Sequence, residues 1–537
     1  MYDVDLSESC FPAQADATIR DITVGGLLRE VEAAHPARVA MVAVEADGTC
    51  GAEWSYAALL EASERLAHAF ATRFAPRERI VVWAPNIPEW IVAEYACALA
   101  GLVLVTANPS FQTRELRYVL EQSGAVALFL VDEYRGNPMA RIAREAVGGN
   151  DAIREVTDLR DADALHVHGS RPGSLPDVSP EDAVQIQYTS GTTGFPKGAV
   201  LSHRNLVNNA RLFCNRKEVG PHSVWANFMP LFHTAGCATG ALGCLQAGAK
   251  MLLIDRFDAN GIARLIEEQG VTTCFAVPTM LFGLLEALER QPRDMASLHA
   301  ISTGGAPVPP DLVRRVRERL GCHLLSAFGQ TEHSPMICLN PVGATPEQIS
   351  ETAGQPLPQT EVSIRSTVDN TVMAIGEVGE ICARSYAVMI GYNDNPDATA
   401  AAIDADSWLH TGDLGTMDAQ GFVRVTGRVK DMIIRGGENH FPAEIEAVLI
   451  EHPDIAQVAV VGLPDEKWGE VIAAFVLSDS APDPSSLRAH CRAHLSAQKT
   501  PSIWIRVEAF PLTGSGKVQK FAIREQFLAG GYGEVLA

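Results

Sequence analysis

The segment Tyr188–Gly198 carries the side chains whose types and spacing are best suited to chemistry. It reads Tyr-Thr-Ser-Gly-Thr-Thr-Gly-Phe-Pro-Lys-Gly, so glycines and hydroxyl groups lead up to Lys197. Glycines let backbone N–H groups gather around an anion, and the hydroxyl and ammonium groups add donors. The apolar run Ala183–Tyr188 predicts a strand before it. We predict a polyphosphate-binding loop, distinct from the common P-loop because Pro196 precedes the lysine and Gly198 follows it.

Three later segments place polar groups or glycines after strand-like runs. His233 precedes a run of small residues that could leave a groove for a ligand, although a lone histidine is often structural. The run Ile301–Pro307 ends in glycines, which suit either a flat aromatic ring against the backbone or a tight turn. The Glu332 carboxylate could bind Mg²⁺ on a triphosphate; the alternative interpretation is an ordinary solvent-facing glutamate.

Charged residues in the last part of the sequence form a second group. The sequence Thr-Gly-Asp that ends at Asp413 predicts a glycine turn. The Asp413 carboxylate could there accept hydrogen bonds from the hydroxyls of a ribose; the alternative is an ordinary Asx-type turn. Residues 427–438 gather cations and glycines around an apolar centre, which is unusual in a chain of formal net charge −22. Lys517 follows Gly-Ser-Gly on a loop that could reach another domain. Pro511 and Val518 exclude a Walker A loop there.

Alternating helix and strand patterns must position these groups. Between about residues 55 and 330 they predict an α/β fold with largely parallel sheets. Helical periodicity covers Tyr56–Ala71, Pro88–Leu102 and Pro310–Leu320, with apolar extended runs between. Ligands in such folds bind beyond the carboxyl ends of strands, and the motifs follow strand-like runs in agreement with that rule.

The pattern changes twice towards the C-terminus. From about residue 351 to 426, short extended runs between Gly, Asp and Asn turns predict a small β-rich subdomain. After Gly427 the pattern becomes α+β. We therefore predict a large N-terminal domain, residues 1–427, and a smaller C-terminal domain, residues 428–537.

Length, charge and cysteines limit the class of protein. A chain of 537 residues is expected to form two or more domains. Its net charge of −22 argues against nucleic acid as the main partner and against docking on an anionic membrane. Eleven cysteines without metal-ligand spacing predict reduced, buried thiols. The acidic N-terminus is not typical of a targeting peptide, and no apolar run has transmembrane length, so we expect a cytoplasmic protein.

In order and spacing, these motifs resemble the adenylate-forming superfamily, which includes acyl- and aryl-CoA synthetases, peptide adenylation domains and firefly luciferase. The resemblance covers about residues 25 to 530 and is strongest with medium-chain acyl-CoA synthetases, including the run GRVKDMIIRGGENHFPAEIE at 427–446. It implies a mobile C-terminal domain and a two-step reaction. A carboxylate attacks the α-phosphate of ATP, giving acyl-AMP and pyrophosphate, and the CoA thiol then gives the thioester and AMP. The implied ligands are ATP, Mg²⁺ and coenzyme A.

The resemblance also implies roles for particular residues. Lys517 would bridge the acyl carboxylate and the α-phosphate, Glu332 would bind Mg²⁺, and Asp413 and Arg428 would contact the ribose. The implied catalytic residues are Lys517, His233, Thr189 and Glu332. The implied ATP- or AMP-binding residues are Thr189, Ser190, Gly191, Thr192, Thr193, Gly194, Lys197, Gly304, Gly305, Ala306, Phe328, Gly329, Gln330, Thr331, Asp413, Arg428 and Lys517.

The second step implies a domain rotation, because Lys517 must leave before CoA can approach. Lys430 is the implied hinge, and the residues then turned towards CoA are Arg435, Gly436, Gly437 and Glu438. The implied acyl pocket consists of His233, Ala235, Thr239, Gly305 and Phe328. No lysine or arginine belongs to that set, so the expected substrate is an apolar monocarboxylic acid that is medium-chain, branched or alicyclic.

Two other functions remain open at this point. An adenylating enzyme with a carrier-protein or luciferase-like acceptor would be favoured by a fused carrier domain, and none is recognised after the Lys517 helix. An inactive acyl- or nucleotide-binding sensor would be indicated by loss of Lys517 or Glu332, and both are present. The expected partners are small molecules, and a homodimer is left open.

Overall fold

Two parallel-rich sheets form the N-terminal part of the protein. The structure is a computed structural model that describes residues 1–45, 47–165, 174–189, 196–435, 438–478, 482–512, 518–532 and 536. The larger sheet contains, in spatial order, Gln355–Pro356, Met336–Leu339, His323–Gly329, Ala300–Gly304, Thr273–Phe275, Val224–Asn227, Lys250–Ile254, Val39–Val44 and Cys50–Ser55. The strands from His323–Gly329 to Val39–Val44 run parallel, and the edge strands are antiparallel.

The second sheet contains the strand that leads into the predicted phosphate loop. Its strands, in spatial order, are Gly391–Tyr392, Lys197–Ser202, Ala183–Thr189, Val103–Thr106, Arg79–Trp83, Ala127–Leu130 and Glu155–Asp158. The last five run parallel, and the first two are antiparallel to their neighbours. The strand predicted at Ala183–Tyr188 is confirmed, one residue longer.

Helices cover the two sheets. The helices of the N-terminal part are Val24–Ala34, Tyr56–Ala71, Pro88–Leu99, Thr113–Ser123, Met139–Val147, Ala162–Leu165, His203–Arg216, Gly243–Ala247, Ala259–Gln269, Pro278–Arg290, Pro310–Leu320, Pro346–Glu351 and Pro396–Ala402, with a π-helix at Ala235–Leu242 and a 3₁₀ turn at Thr331–His333. Tyr56–Ala71 and Pro310–Leu320 have the predicted bounds. Ser55 begins the former, because its hydroxyl accepts the N–H of Ala58 at 3.1 Å.

The helix predicted at Pro88–Leu102 was too long, because it ends at Leu99. Gly101 adopts a φ of +68°, and the N–H of Leu102 bonds back to the carbonyl of Cys97 at 2.9 Å. A left-handed glycine followed by such a bond is a common helix ending. The remaining helix is buried on every side from Trp90 to Leu99, which is typical of a helix in a protein core.

A separate antiparallel sheet forms the predicted β-rich subdomain. Its strands are Cys10–Phe11, Thr360–Arg365, Gly379–Ser385, Leu409–Met417 and Val423–Arg428. The predicted glycine turn at Asp413 is wrong, because Asp413 lies within Leu409–Met417. Residues 411–413 face the single residue Ile381 between the paired positions Cys382↔His410 and Glu380↔Leu414. The glycine thus forms a bulge inside a strand instead of a turn between strands.

The C-terminal part has its own sheet and its own core. The strands are Glu438–His440, Ile433–Arg435, Gly469–Leu477, Gln457–Asp465 and Ile503–Val507, and the helices are Pro442–Leu449, Pro484–His494 and Lys520–Leu528, with 3₁₀ turns at Val429–Asp431 and Ala497–Lys499. Two hydrophobic clusters here contain only residues from Ile433 onwards. The α+β pattern predicted after Gly427 is confirmed.

All cysteines lie in the described part of the chain as free thiols, and nine of them are buried. Among the described residues, no helix combines the length and apolar character needed to cross a bilayer.

Candidate active site

The two ends of the predicted phosphate loop are held together by strand pairing. Thr189 ends one strand, Lys197 begins the next, and the two residues are antiparallel partners. The hydroxyl of Thr189 donates to the carbonyl of Lys197 at 3.3 Å. A Cβ on Gly198 would lie 2.7 Å from Ile186 Cγ2, so close packing requires glycine there. The predicted residues Ser190, Gly191, Thr192, Thr193 and Gly194 lie outside the described residues.

Lys197 and Glu332 both contact Tyr392. The lysine Nζ lies 4.0 Å from the ring centroid, and the Tyr392 hydroxyl donates to Glu332 Oε1 at 2.7 Å. Burial lowers the pKa of Lys197, the Glu332 carboxylate raises it, and the nearby Lys430 ammonium lowers it further. Burial raises the pKa of Tyr392, and the Glu332 charge adds to that rise. Tyr392 was not predicted, because its partner is far away in sequence and the local sequence gives no signal.

The residues predicted to flank an adenine follow neighbouring parallel strands. Gly304 pairs with Ala327, and a Cβ on Gly304 would lie 2.7 Å from the Ala327 carbonyl. Gly305 has a φ of +79°, and Gly305 and Ala306 are exposed. Phe328, largely buried, precedes the exposed Gly329, and Gln330 and Thr331 are half-buried. These two sets of residues therefore share one edge of the sheet, as predicted for the carboxyl ends of parallel strands.

Asp413 and Arg428 face each other on paired strands. Arg428 Nε donates to Asp413 Oδ1 at 2.9 Å, and the residues are direct antiparallel partners. The Asp413 side chain is 10% exposed, whereas Arg428 is 48% exposed. The carboxylate is thus largely enclosed, while about half of the Arg428 side chain is open to solvent.

A histidine between two carboxylates supports the bulge that carries Asp413. His410 Nδ1 lies 2.8 Å from Glu380 Oε2, and its Nε2 lies 3.5 Å from Asp404 Oδ2. Glu380 also accepts the N–H of Gly412 at 2.9 Å. The hydrogen bond to Glu380 is the main reason that the pKa of His410 is raised.

The same cluster is a group of possible metal ligands. Donor atoms of Glu380, Cys382 and His410 lie within 4.8 Å of one another, a feature that no sequence spacing indicated. Burial raises the pKa of the Cys382 thiol. The contacts of the imidazole with a carboxylate on each side account for the cluster without a metal.

Three of the five predicted acyl-pocket residues lie just before or within the π-helix Ala235–Leu242, whereas Gly305 and Phe328 lie at the sheet edge described above. His233 and Ala235 are half-buried, whereas Thr239 is buried. Neither Gly236 nor Gly240 has room for a side chain. A Cβ on Gly236 would lie 2.2 Å from the Pro230 carbonyl oxygen, and a Cβ on Gly240 would lie 2.6 Å from Asn227 Oδ1. The space beside these two glycines is therefore filled by protein atoms and is not a groove for a ligand.

Lys430 and Arg435 lie at the start of the C-terminal part. Lys430 belongs to the 3₁₀ turn Val429–Asp431 and is exposed. The Arg435 guanidinium lies 5.6 Å from the ring of Trp468, and Lys467 Nζ lies 5.0 Å from the same ring. Trp468 is 43% exposed and was not predicted. Gly436, Gly437 and Lys517 lie outside the described residues, and the backbone of Glu438 pairs with Arg435.

The chain belongs to the AMP-binding enzyme family, whose model matches residues 28–393. The model of the AMP-binding enzyme C-terminal domain matches residues 444–517. Among relatives, the putative acyl-CoA synthetase YngI of Bacillus subtilis is 34% identical, covering 94% of this chain and 97% of its own. The human mitochondrial medium-chain acyl-CoA ligase ACSF2 is 33% identical, with 94% and 87% covered.

Solved structures agree with this family. The o-succinylbenzoate CoA synthetase MenE of Bacillus subtilis, in complex with the acyl-adenylate intermediate OSB-AMP, has a TM-score of 0.82 at 28% identity, covering 95% of this chain and 99% of its own. A complex of the same enzyme with ATP and magnesium ion has a TM-score of 0.80, with 92% and 98% covered. The predicted superfamily, fold class and enzyme class are confirmed.

Proposed function

We propose that this protein is an ATP-dependent carboxylic acid–CoA ligase that works through an acyl-AMP intermediate. The cluster of Lys197, Tyr392 and Glu332 carries the proposal. It joins a cation suited to phosphate and a carboxylate suited to Mg²⁺ at one point, in a chain that is strongly acidic overall. The names of the relatives and the ligands of the solved MenE complexes support the same conclusion.

The residues present fit a magnesium nucleotide. Glu332 is half-buried, and among the described residues its carboxylate accepts a hydrogen bond from the Tyr392 hydroxyl alone, which leaves carboxylate oxygen available as a ligand. When bound, Mg²⁺ would neutralise charge on the phosphate oxygens. Asp413 would accept the ribose hydroxyls, with Arg428 beside it. The adenine would lie between residues 304–306 and residues 328–331, where glycine lets a flat ring approach the backbone.

In the first step, the carboxylate oxygen of the acid bonds to the α-phosphorus, and the bond to the bridging oxygen of pyrophosphate breaks. Lys197, Thr189 and the loop 190–194 would hold the departing phosphates. Lys517 would hold the two reacting anions together, and fixed cations at developing negative charge account for much of such catalysis. His233 would border the acyl group and the phosphate.

The second step would use the other face of the C-terminal domain, residues 428–537. Its separate sheet and core support the proposal that it moves as a unit about Lys430. Arg435, Gly436, Gly437 and Glu438 would then face the CoA tunnel. Trp468, with Arg435 and Lys467 beside its exposed ring, suits an adenine and its phosphates.

The proposed substrate is an apolar monocarboxylic acid that is medium-chain, branched or alicyclic. The proposed pocket of His233, Ala235, Thr239, Gly305 and Phe328 contains no lysine or arginine to pair a second carboxylate.

AMP release across a panel of carboxylic acids, with and without CoA, tests the function. We expect acid-dependent pyrophosphate release without CoA, and AMP release together with thioester formation when CoA is added. Release that is independent of every acid, or a requirement for a carrier protein in place of CoA, would contradict the proposal.

A further inference from the structure

A chain of buried polar side chains connects the core helix Pro88–Leu99 to two segments of the proposed site. Glu94 lies on that helix, Gln185 and Gln187 lie on the strand that leads to Thr189, and Cys237 lies on the π-helix. Each of these four side chains is at most 1% exposed. Glutamate and glutamine are rarely buried so completely, because an unsatisfied polar group in a core is costly.

The hydrogen bonds of this chain lead from Gln187 towards Glu94 on one side and towards His233 on the other. Gln185 Nε2 donates to Glu94 Oε1 at 2.5 Å. Gln187 Nε2 donates to Gln185 Oε1 at 2.8 Å and to Cys237 Sγ at 3.0 Å. The Cys237 thiol donates to the backbone carbonyl of His233 at 3.3 Å. The chain therefore ends on the backbone of the residue that borders the proposed acyl and phosphate positions.

Glu94 takes part in this chain as a neutral group. Its Oε2 has no hydrogen-bond partner within the described part of the protein. Complete burial raises its pKa to about 8, and the hydrogen bond from Gln185 only partly opposes this. The titratable groups facing it are Tyr95 and Cys97 on its own helix and Cys237 on the π-helix, and burial raises the pKa of each. At neutral pH the carboxyl is protonated and accepts through its carbonyl oxygen.

We propose that Glu94, Gln185, Gln187 and Cys237 form a positioning chain that fixes His233 relative to the strand that ends at Thr189. The contact between Gln187 and Cys237 is the link. Gln187 lies on the strand that ends at Thr189, and Cys237 lies in the π-helix that begins shortly after His233. This inference rests on the proposed function and refines it. Misplacement of a reacting group by about 1 Å can cost 100-fold in rate.

Glu94→Leu and Glu94→Gln test the anchor of the chain. Leucine leaves the Gln185 amide without an acceptor, so we expect kcat/KM for the acid in ATP–pyrophosphate exchange to fall by about 10- to 100-fold. The KM for the acid should rise while the KM for ATP changes little. Glutamine keeps a neutral acceptor of the same shape and should retain wild-type activity. Cys237→Ala removes the last link and should resemble Glu94→Leu.

The pH profile separates positioning from a general loss of packing. Wild-type kcat/KM should fall as the pH rises through about 8, where Glu94 ionises, and Glu94→Gln should lack that fall. Asn208→Leu is the matched control, since Asn208 is fully buried and donates to the Arg20 carbonyl at 2.9 Å, outside the chain. It should lower the melting temperature without changing the KM for the acid or the pH profile.

Infrared difference spectra of wild type minus Glu94→Gln provide a readout that does not need turnover. We expect a protonated carboxyl band at neutral pH that disappears above pH 8. The inference is overturned if the band is absent, if Glu94→Leu and Cys237→Ala keep the wild-type KM, or if Glu94→Gln keeps the alkaline fall. A wild type that shows the band but exchanges with no acid would refute the proposed function and, with it, the catalytic purpose of the chain.

Discussion

Charged side chains of the candidate site are oriented by fixed neighbours. Asp413 is held by Arg428 at 2.9 Å, and Glu332 is held by Tyr392 at 2.7 Å. Groups oriented before the ligand arrives need not reorganise during the reaction, which is a main source of catalytic power. These contacts are the reason for expecting Tyr392 to affect activity, although no motif contains it.

Tyr392→Phe should specifically lower kcat/KM for MgATP. The change removes the hydrogen bond to Glu332 and keeps the ring under Lys197. A hydrogen bond to a charged group contributes about 1.5–3 kcal/mol, so we expect kcat/KM for MgATP to fall at least tenfold. Initial rates at varied MgATP check this, with Tyr56→Phe as control, because Tyr56 donates to the Ala249 carbonyl away from the site. Equal effects of the two variants would refute the role.

Single residues with distant partners define the limit of the sequence prediction. Motifs with local spacing identified Glu332, Asp413 and Arg428, which the structure places in oriented contacts. Tyr392, Trp468 and Glu94 were missed, because each depends on partners brought together only by the tertiary fold.

At the scale of elements, helices with strong end signals were predicted well. Tyr56–Ala71 begins at a serine cap, and its apolar face has clear periodicity. Pro88–Leu99 is apolar on every side, so its periodicity could not indicate where it ends. Asp413 was misplaced because glycine next to aspartate is equally typical of a turn and of a bulge.

The short 3₁₀ turn that carries Glu332 depends on a neutral histidine. His333 Nδ1 lies 2.9 Å from the Met336 carbonyl, and the Ser385 hydroxyl lies 2.8 Å from its Nε2. Burial lowers the pKa of His333 to about 4. The His333 imidazole is protonated near pH 6.5 in the unfolded chain but only near pH 4 in the folded chain. The contribution of His333 to stability is therefore complete above pH 6.5 and is lost as the pH falls through that interval.

His333→Asn should make stability less sensitive to acid. The wild type should be the more stable at pH 7, and its advantage should shrink by up to about 3 kcal/mol between pH 6.5 and 4. Chemical unfolding at a series of pH values measures the difference. His203, whose pKa burial also lowers to about 4, is present in both proteins and cancels in the comparison. A difference independent of pH would contradict the assignment.

For the whole molecule, the proposed rotation about Lys430 makes a sharp prediction. Lys430 lies in a 3₁₀ turn, and the typical φ of such turns, about −50 to −70°, suits proline. Lys430→Pro should therefore keep the described arrangement and, because it fixes φ, oppose the swing. We expect acid-dependent ATP–pyrophosphate exchange to persist and thioester formation to be lost. Separate assays of the two half-reactions check this, with Lys430→Ala as the control that removes the charge and leaves the backbone free. Equal loss of both half-reactions in the proline variant would count against the hinge.

The size of the bulge opposite Ile381 decides which deletions in this segment the sheet can tolerate. It contains two residues more than a regular strand would place there, and side chains of a strand alternate with a period of two. Because the number of extra residues is even, the side chains before and after the bulge keep the same inward and outward faces. Excising Gly412 together with Asp413 would therefore restore regular pairing with Gly379–Ser385 around the same core. The product would be a folded protein without the carboxylate proposed to bind the ribose, whereas excising either residue alone would exchange the inward and outward faces of the strand on one side of the deletion.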